Sequence, residues 1–122
     1  MADDRIRFIT HRGKQVLFID LTNCSAAEVK KISRLVPTYV TTMPKGSVLL
    51  LCDFTGSQVD RAAAERLKQD TVFDRPYLKR SAWVGTESIP HVLYENIKSF
   101  SQRSLPSFKT REEALDWLVG EE

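Results

Sequence analysis

Residues 49–60, which read LLLCDFTGSQVD, place an acid, two hydroxyls and a glycine directly after an apolar run. Asp53, Thr55, Gly56 and Ser57 therefore stand where a buried strand gives way to a helix. Free amide donors at a helix start, together with the helix dipole, favour a bound anion. Gly56 alone is a weak phosphate signal, because the chain lacks the G-x-x-x-x-G-K pattern. Capping preferences favour a structural alternative, in which Ser57 is the N-cap of the helix.

Two further strand ends carry candidate binding residues. Asp20 closes an earlier apolar run, and Gly85 follows a later one. Because ligands of open α/β sheets usually bind beyond the carboxyl ends of the strands, we expect Asp20, Asp53 and Gly85 to share one edge of the sheet. Two carboxylates are weak support for a divalent ion, and Ile19 and Leu21 stand where an additional acid is needed. We expect each aspartate to accept a hydrogen bond from a loop amide instead, with no metal and no cofactor.

The cysteines and histidines do not form a catalytic set. Cys52 precedes a helix start, where a thiolate is stabilised, but it ends an apolar run and is better explained as buried filling. A nucleophile also needs a base. His11 lies in a predicted hairpin turn and His91 in the first turn of a predicted helix, and neither has a spacing that links it to Cys52. We assign no catalytic residue and predict that the protein is not an enzyme.

Length and composition indicate one soluble globular domain over residues 1–122. The formal net charge is +2, from 18 basic and 16 acidic residues that are interspersed, which argues against nucleic acid as a partner. The longest apolar run outside the helical patterns, Val48 to Cys52, is far shorter than the roughly 20 residues of a membrane span. Without a signal peptide pattern we expect a cytoplasmic protein whose two cysteines are reduced.

Hydrophobic periodicity predicts the element order β-β-α-β-α-β-α-β-α. Glycine in HRGK at 11–14 favours a hairpin, and the apolar strands that follow favour a covered, mainly parallel sheet. Strands are expected near 16–21, 48–53, 80–85 and 105–108, the last one limited to an edge by Pro106. The architecture is therefore α/β, with about five strands and about four helices.

The helices have legible boundaries. Ser25 with Glu28, and Thr110 with Glu113, have the spacing of capping boxes and begin the first and last helices. Pro37 is expected to kink or split the first helix because its nitrogen cannot donate a hydrogen bond. The second and third helices are expected to begin after Ser57 and Ser88. Two tryptophans, at positions 83 and 117, are predicted to complete the core.

Four segments carry a resemblance that spans nearly the whole chain: GKQVLFIDLTN at 13–23, CDFTG at 52–56, RSAWVG at 80–85 and FKTREEALDWL at 108–118. Together with the element order, they resemble the SpoIIAA-like branch of the STAS superfamily, which shares features with CRAL-TRIO lipid carriers. The resemblance implies a STAS-like single domain and a non-enzymatic binding module. It also implies later helices that open to admit an apolar ligand.

In STAS regulators, Asp-apolar-Ser/Thr-Gly precedes an Asp-Ser-Ser-Gly segment whose serine accepts phosphate from a partner kinase. Residues 53–56 match the first part, whereas residues 60–63 read DRAA and lack both serines. The resemblance therefore leaves Thr55 and Ser57 as the candidate phosphoacceptors. It supplies no identity for a partner or ligand, and no oligomeric state.

We therefore expect a regulatory or binding module that binds a protein partner or a small ligand at the 53–57 junction. The residues expected to contribute are those at the converging strand ends: Asp20, Asp53, Thr55, Gly56, Ser57 and Gly85. The alternative is a carrier of a lipophilic small molecule, held in a cavity under the third and fourth helices.

Overall fold

A computed structural model describes residues 2–101 and 105–120. The predicted single domain also includes residues 1, 102–104 and 121–122, which lie outside the described part. The strands are β1 (Ile6–His11), β2 (Lys14–Asp20), β3 (Val48–Asp53), β4 (Leu78–Val84) and β5 (Ser107–Phe108). The helices are α1 (Ala26–Val40), α2 (Arg61–Asp74), α3 (His91–Ser101) and α4 (Arg111–Val119). The predicted element order is confirmed.

All five described strands form one sheet in the order β1-β2-β3-β4-β5. β1 and β2 are antiparallel, whereas each later pair of neighbours is parallel. Arg12 and Gly13 connect β1 to β2 and both have positive φ angles, 51° and 79°. Two such residues in a two-residue loop are typical of a type I′ hairpin turn. This is the predicted mixed, mostly parallel sheet with an N-terminal antiparallel hairpin.

Helices cover both faces of the sheet, which explains why β3 is buried along its whole length. Alternate side chains of a strand point to opposite faces, so β2 and β3 each contribute to two cores. The larger core contains residues of α1, α2 and α3, and the smaller one contains residues of α4. The third and fourth helices therefore lie on opposite faces of the sheet.

α1 begins at the predicted capping box. The Ser25 hydroxyl accepts a hydrogen bond from the Glu28 amide at 3.2 Å, and the Glu28 carboxylate accepts one from the Ser25 amide at 2.8 Å. Pro37 lies inside the helix and does not split it. The last turn stays formed because Val36 and Val40, on either side of the proline, are buried in the larger core.

The start of α2 differs from the prediction. Its N-cap is Asp60, whose carboxylate accepts a hydrogen bond from the Ala63 amide at 2.8 Å. Ser57 is not the N-cap, because its amide donates to the Phe54 carbonyl at 2.8 Å in a turn before the helix. Aspartate caps helices as well as serine does, and the turn at Gly56 places Ser57 before the helix, so the cap falls three residues later than predicted.

Three other boundaries also differ by a few residues. β4 begins at Leu78 and ends before Gly85, whose φ of 73° terminates the strand. α3 begins at His91, because Ser88 belongs to a short 3-10 turn. β5 has only two residues, and Pro106 precedes it. A proline cannot donate to a ladder, which agrees with the short strand at the edge of the sheet.

Candidate functional site

The carboxyl ends of three parallel strands lie side by side. Asp20 of β2 is in register with Asp53 of β3, and Asp53 is in register with Val84 of β4. The loops that follow these strands, residues 21–24, 54–57 and 85–88, are called the loop platform below. The predicted candidate residues at positions 20, 53, 55, 56, 57 and 85 all lie at or directly beneath this platform.

Two of the platform loops repeat one local structure. The Asp20 carboxylate accepts hydrogen bonds from the Thr22 amide at 3.0 Å and the Thr22 hydroxyl at 2.6 Å. The Asp53 carboxylate accepts the equivalent bonds from Thr55 at 3.0 and 2.7 Å. This is the expected pattern of an aspartate that stabilises a turn by accepting from the backbone two residues later. Both carboxylates therefore stabilise the loops that follow their own strands.

The loops are also bonded to one another. The Asn23 amide donates to the Thr55 carbonyl at 2.9 Å, which ties the first loop to the second. The Gly56 amide donates to the Ser88 hydroxyl at 2.9 Å, which ties the second to the third. Gly85 packs so closely on Thr55 that a Cβ atom at position 85 would overlap its hydroxyl oxygen, amide and Cα. The platform is thus one connected surface.

Arg111, the first residue of α4, binds both aspartates on the face of the sheet that α4 covers. Its Nε donates to Asp53 Oδ2 at 2.6 Å, and its guanidinium lies 3.7 Å from Asp20 Oδ1. The same group stacks over the Phe18 ring, 4.6 Å from its centroid. Arg111 supplies positive charge where a divalent ion between the carboxylates would have to sit.

The pKa of Asp20 reflects these contacts. Burial by itself raises the pKa, but the hydrogen bonds from Thr22 and the nearby charges of Arg111 and Arg5 outweigh burial. The pKa of Asp20 therefore lies below its ordinary value, and this carboxyl is charged at neutral pH. Arg5 also donates to the Thr22 carbonyl at 2.8 Å, so a second arginine stabilises the first platform loop.

Exposure divides the 53–57 junction into two layers. Asp53 and Ser57 are buried, with 3% and 6% of their surface exposed, whereas Thr55 and Gly56 are exposed. The three polar contacts of the Asp53 carboxylate described above, two from Thr55 and one from Arg111, leave it no face toward solvent. The Ser57 hydroxyl has no hydrogen-bond partner among the described residues. The surface that a partner can reach is therefore formed by Thr55 and Gly56, with Asn23 and Glu87 from the adjacent loops.

The cysteine and histidine positions agree with a structural role. Cys24 and Cys52 are both free and buried. Burial raises the pKa of the Cys52 thiol, and the nearby charges of Asp74 and Asp53 raise it further, so a reactive thiolate does not form. His11 bonds to the Asp116 carboxylate at 2.9 Å on the α4 face, whereas Cys52 packs in the core of the opposite face. Within residues 2–101 and 105–120, no cluster of three acidic, histidine or cysteine ligands is present.

The prediction of a cavity under the third and fourth helices is wrong about its location. α3 and α4 lie on opposite faces of the sheet, so no single cavity lies beneath both. A cavity of about 40 Å³ lies instead between the sheet and α1 and α2. Trp83 lines it and is a core residue, as predicted. Trp117 is only half-buried and packs with Phe108 against the edge of the smaller core.

Sequence reasoning missed Arg111 and Asp74. Arg111 is 58 residues from the aspartate it binds, so no local spacing reveals the contact. Asp74 reads as an ordinary polar residue at a helix end, yet it lines the cavity. The repeated turns did leave a signal, because residues 20–23 and 53–56 read DLTN and DFTG.

The geometry defines a class: an α/β protein with one mixed five-stranded sheet and a braced loop platform at the carboxyl ends of its parallel strands. A solved structure has the same architecture. It is the crystal structure of an uncharacterized protein from the DUF3478 family with a SpoIIAA-like fold, from Shewanella loihica PV-4. The two chains superpose with a TM-score of 0.70 at 16% identity, over 93% of this chain and 92% of the other. The protein therefore has a SpoIIAA-like fold.

That likeness establishes the fold, and the sequence comparisons add nothing to it. No family model matches the chain, and no curated protein matches it. Among the described helices, none has both the length and the apolar character needed to cross a membrane.

Proposed function

We propose that the protein is a non-enzymatic, STAS-type binding module whose loop platform binds a protein partner. The observation that carries the proposal is the layering of the 53–57 junction. Thr55 and Gly56 are exposed at the tip of a loop, while Asp53 and Ser57 are buried beneath them. Hydrogen bonds to Asn23, Asp53 and Ser88 hold the two exposed residues in place.

Rigidity supports binding at this surface. Association is weakened by the free energy needed to order loops, and a platform that is already ordered avoids that loss. Here the Asn23–Thr55 and Gly56–Ser88 hydrogen bonds connect all three loops. The acids beneath are engaged by threonines and by Arg111, so they shape the platform and leave no free carboxylate for acid–base chemistry.

The two candidate phosphoacceptors differ in access. Ser57 is buried, so a kinase reaches its hydroxyl only after the loop opens. Thr55 is exposed, and its hydroxyl donates to Asp53 at 2.7 Å. We therefore assign regulatory phosphorylation of the module to Thr55. A phosphate there removes that hydrogen bond and adds negative charge beside a carboxylate, which disfavours the observed loop structure.

Site-specific photocrosslinking tests the partner surface. A photoreactive amino acid replaces Glu87, which is exposed on the platform, or Gln58, which is exposed next to it. Matched controls replace Glu65 on α2 or Lys45 at the amino end of the sheet. We expect the first two positions, and not the controls, to crosslink the same protein in the cell of origin. Equal crosslinking from all four positions contradicts the proposed surface.

Calorimetry with the identified partner then measures the contribution of the platform. We expect Glu87→Arg to weaken binding by at least about tenfold, roughly 1.4 kcal/mol, because it places a bulky opposite charge in the interface. Glu65→Arg makes the same change on an exposed position away from the platform and should leave the affinity unaltered. Asp53→Ala and Ser57→Ala are unsuitable here, since both residues are buried.

The second candidate function is carriage of a lipophilic small molecule. It is favoured by the cavity between the sheet and α1 and α2, which is lined mainly by apolar side chains. Its volume of about 40 Å³ holds only about three water-sized groups, so an acyl chain requires the helices to separate. Native mass spectrometry with fatty acids and phospholipids decides the matter, and a chain that rejects both is not a lipid carrier.

A further inference from the structure

The cavity between the sheet, α1 and α2 combines an apolar wall with an acidic one. Most of its lining is apolar and comes from strands and helices alike, including Ile19, Leu50, Leu67 and Trp83. The polar residues are concentrated on α2, which contributes Asp70, Thr71 and Asp74. Serines of α1 and β4 complete the polar part of the lining.

Asp70 has its negative charge compensated. The Arg66 guanidinium donates two hydrogen bonds to it, at 3.1 and 3.2 Å, and the Ser33 hydroxyl donates a third at 2.5 Å. Paired and hydrogen-bonded in this way, a buried carboxylate is stable in its charged form. Arg66 therefore neutralises the charge of Asp70, one of the two acids that line the cavity.

Asp74 has no such compensation. Only 6% of its surface is exposed, and its Oδ1 atom is fully buried and accepts no hydrogen bond from the described residues. Burial, followed by the charge of Asp70 one helical turn earlier, raises the pKa of Asp74 to about 7. A buried acceptor without a donor is costly in free energy, so native structures rarely keep one without a reason.

We propose that this cavity is a binding site for a small protonated amine bearing a short apolar group, with the Asp74 carboxylate as its counter-ion. The cavity has one negative charge in excess, one orphaned acceptor and an apolar wall, and an alkylammonium ion matches all three. With room for about three water-sized groups, the cavity admits an amine of about four or five heavy atoms.

Other occupants fit less well. A fatty acid or other carboxylate places a second negative charge beside Asp74, and its length exceeds the cavity. A divalent metal ion prefers several oxygen ligands, and no cluster of three such residues exists in the described part of the chain. A neutral alcohol can fill the apolar part but brings no charge to the carboxylate.

The test compares three compounds of one shape: isobutylammonium, isobutanol and isobutyrate. Each is titrated into the ¹⁵N-labelled full chain at pH about 8, where the Asp74 carboxyl is ionised and the amine is protonated. We expect saturable amide shifts around Leu67, Asp74 and Ser81 for the amine, with at least tenfold weaker binding of the alcohol and the carboxylate. Asp74→Asn should weaken amine binding at least tenfold, whereas Glu65→Gln, on the exposed side of the same helix, should not.

A second measurement does not depend on any variant. Binding of the amine ionises the fraction of Asp74 that is still protonated, so at neutral pH about half a proton should be released per amine bound. Calorimetry in buffers of different ionisation enthalpy measures that number. The other titratable groups lining the cavity are Asp70, which is already paired, and Cys52, whose thiol stays protonated; α1, β2 and β4 contribute uncharged side chains.

Three results overturn the proposal. The first is the absence of saturable shifts with the amine, which means that a water alone satisfies Asp74. The second is equal affinity for amine and alcohol, which means an apolar void only. The third is amine binding that Asp74→Asn leaves unchanged. Each of these leaves the proposed platform function intact, because Glu87→Arg affects partner binding at a surface that shares no residue with the cavity lining.

Discussion

Asp74→Asn should stabilise the protein at alkaline pH and have little effect at acid pH. In the folded chain, burial holds the pKa of this carboxyl at about 7, against an ordinary value of 3.8. The unfolded chain releases the proton near its ordinary pKa, whereas the folded chain keeps it until about neutrality. As the pH rises between these two values, ionisation favours the unfolded state, and the stability lost in this way is complete above pH 7. Asparagine does not titrate and escapes the loss.

The expected magnitude follows from the two pKa values. They differ by about three units, and each unit corresponds to about 1.4 kcal/mol, so the full effect is about 4 kcal/mol. The variant should therefore match the wild type near pH 4 and exceed its free energy of unfolding by about 4 kcal/mol near pH 8. The effect is large for one isosteric substitution because Asp74 is buried and the like charge of Asp70 adds to the effect of burial.

Urea denaturation of both proteins across this pH range measures the difference directly. Effects of titrating groups that do not interact with Asp74 cancel, because the two chains share them. Glu65→Gln provides the control, since it removes a carboxylate from an exposed position of the same helix, and its effect on the free energy of unfolding near pH 8 should be much smaller. A pH-independent difference for Asp74→Asn, or a variant that is less stable than the wild type near pH 8, would refute the assigned burial and charge environment.

Three further substitutions test the platform, each by urea denaturation. Arg111→Ala leaves the buried Asp53 carboxylate without its guanidinium partner and should lower the free energy of unfolding by about 2 kcal/mol, a value reduced for the partial exposure of the arginine. Arg61→Ala, at the first position of α2, should have little effect. Equal losses from the two variants would contradict a stabilising role for Arg111. Gly85→Ala should lower the free energy of unfolding by about 3 kcal/mol, because the residue has a positive φ and its new Cβ would overlap with Thr55. Gly46→Ala should lower it by only about 1 kcal/mol, because Gly46 has nearly the same φ but open space around it. Ser57→Ala should be neutral or slightly stabilising because its buried hydroxyl has no described partner, whereas an N-cap would lose about 1 kcal/mol.

Local patterns predicted the elements well because their causes are local. The Ser25–Glu28 capping box, the hairpin glycine and the alternating or continuous apolar runs act within a few residues, and the structure has the element order that they indicate. Where two local signals competed, the prediction was less accurate. Ser57 and Asp60 are both good caps, and only the turn at Gly56 decided between them.

The meeting of Asp20 with Asp53 was also predictable, because parallel strands bring their carboxyl ends to one edge. What those aspartates do there was partly predictable. Their hydrogen bonds to the loops follow from residues two positions away. Their shared contact with Arg111 does not, since Arg111 belongs to the last helix and is 58 residues from Asp53.

The sequence by itself determined the α/β class, the order of the strands and helices, and the residues that gather at the platform. Only the tertiary structure decided that α3 and α4 cover opposite faces and that the cavity lies under α1 and α2. It also decided that Asp74 Oδ1 is buried there with no hydrogen-bond partner among the described residues. The physical reason is range. Backbone capping, turns and periodicity depend on neighbours along the chain, whereas burial and charge compensation depend on which distant elements pack against a side chain, and a single sequence does not record that packing.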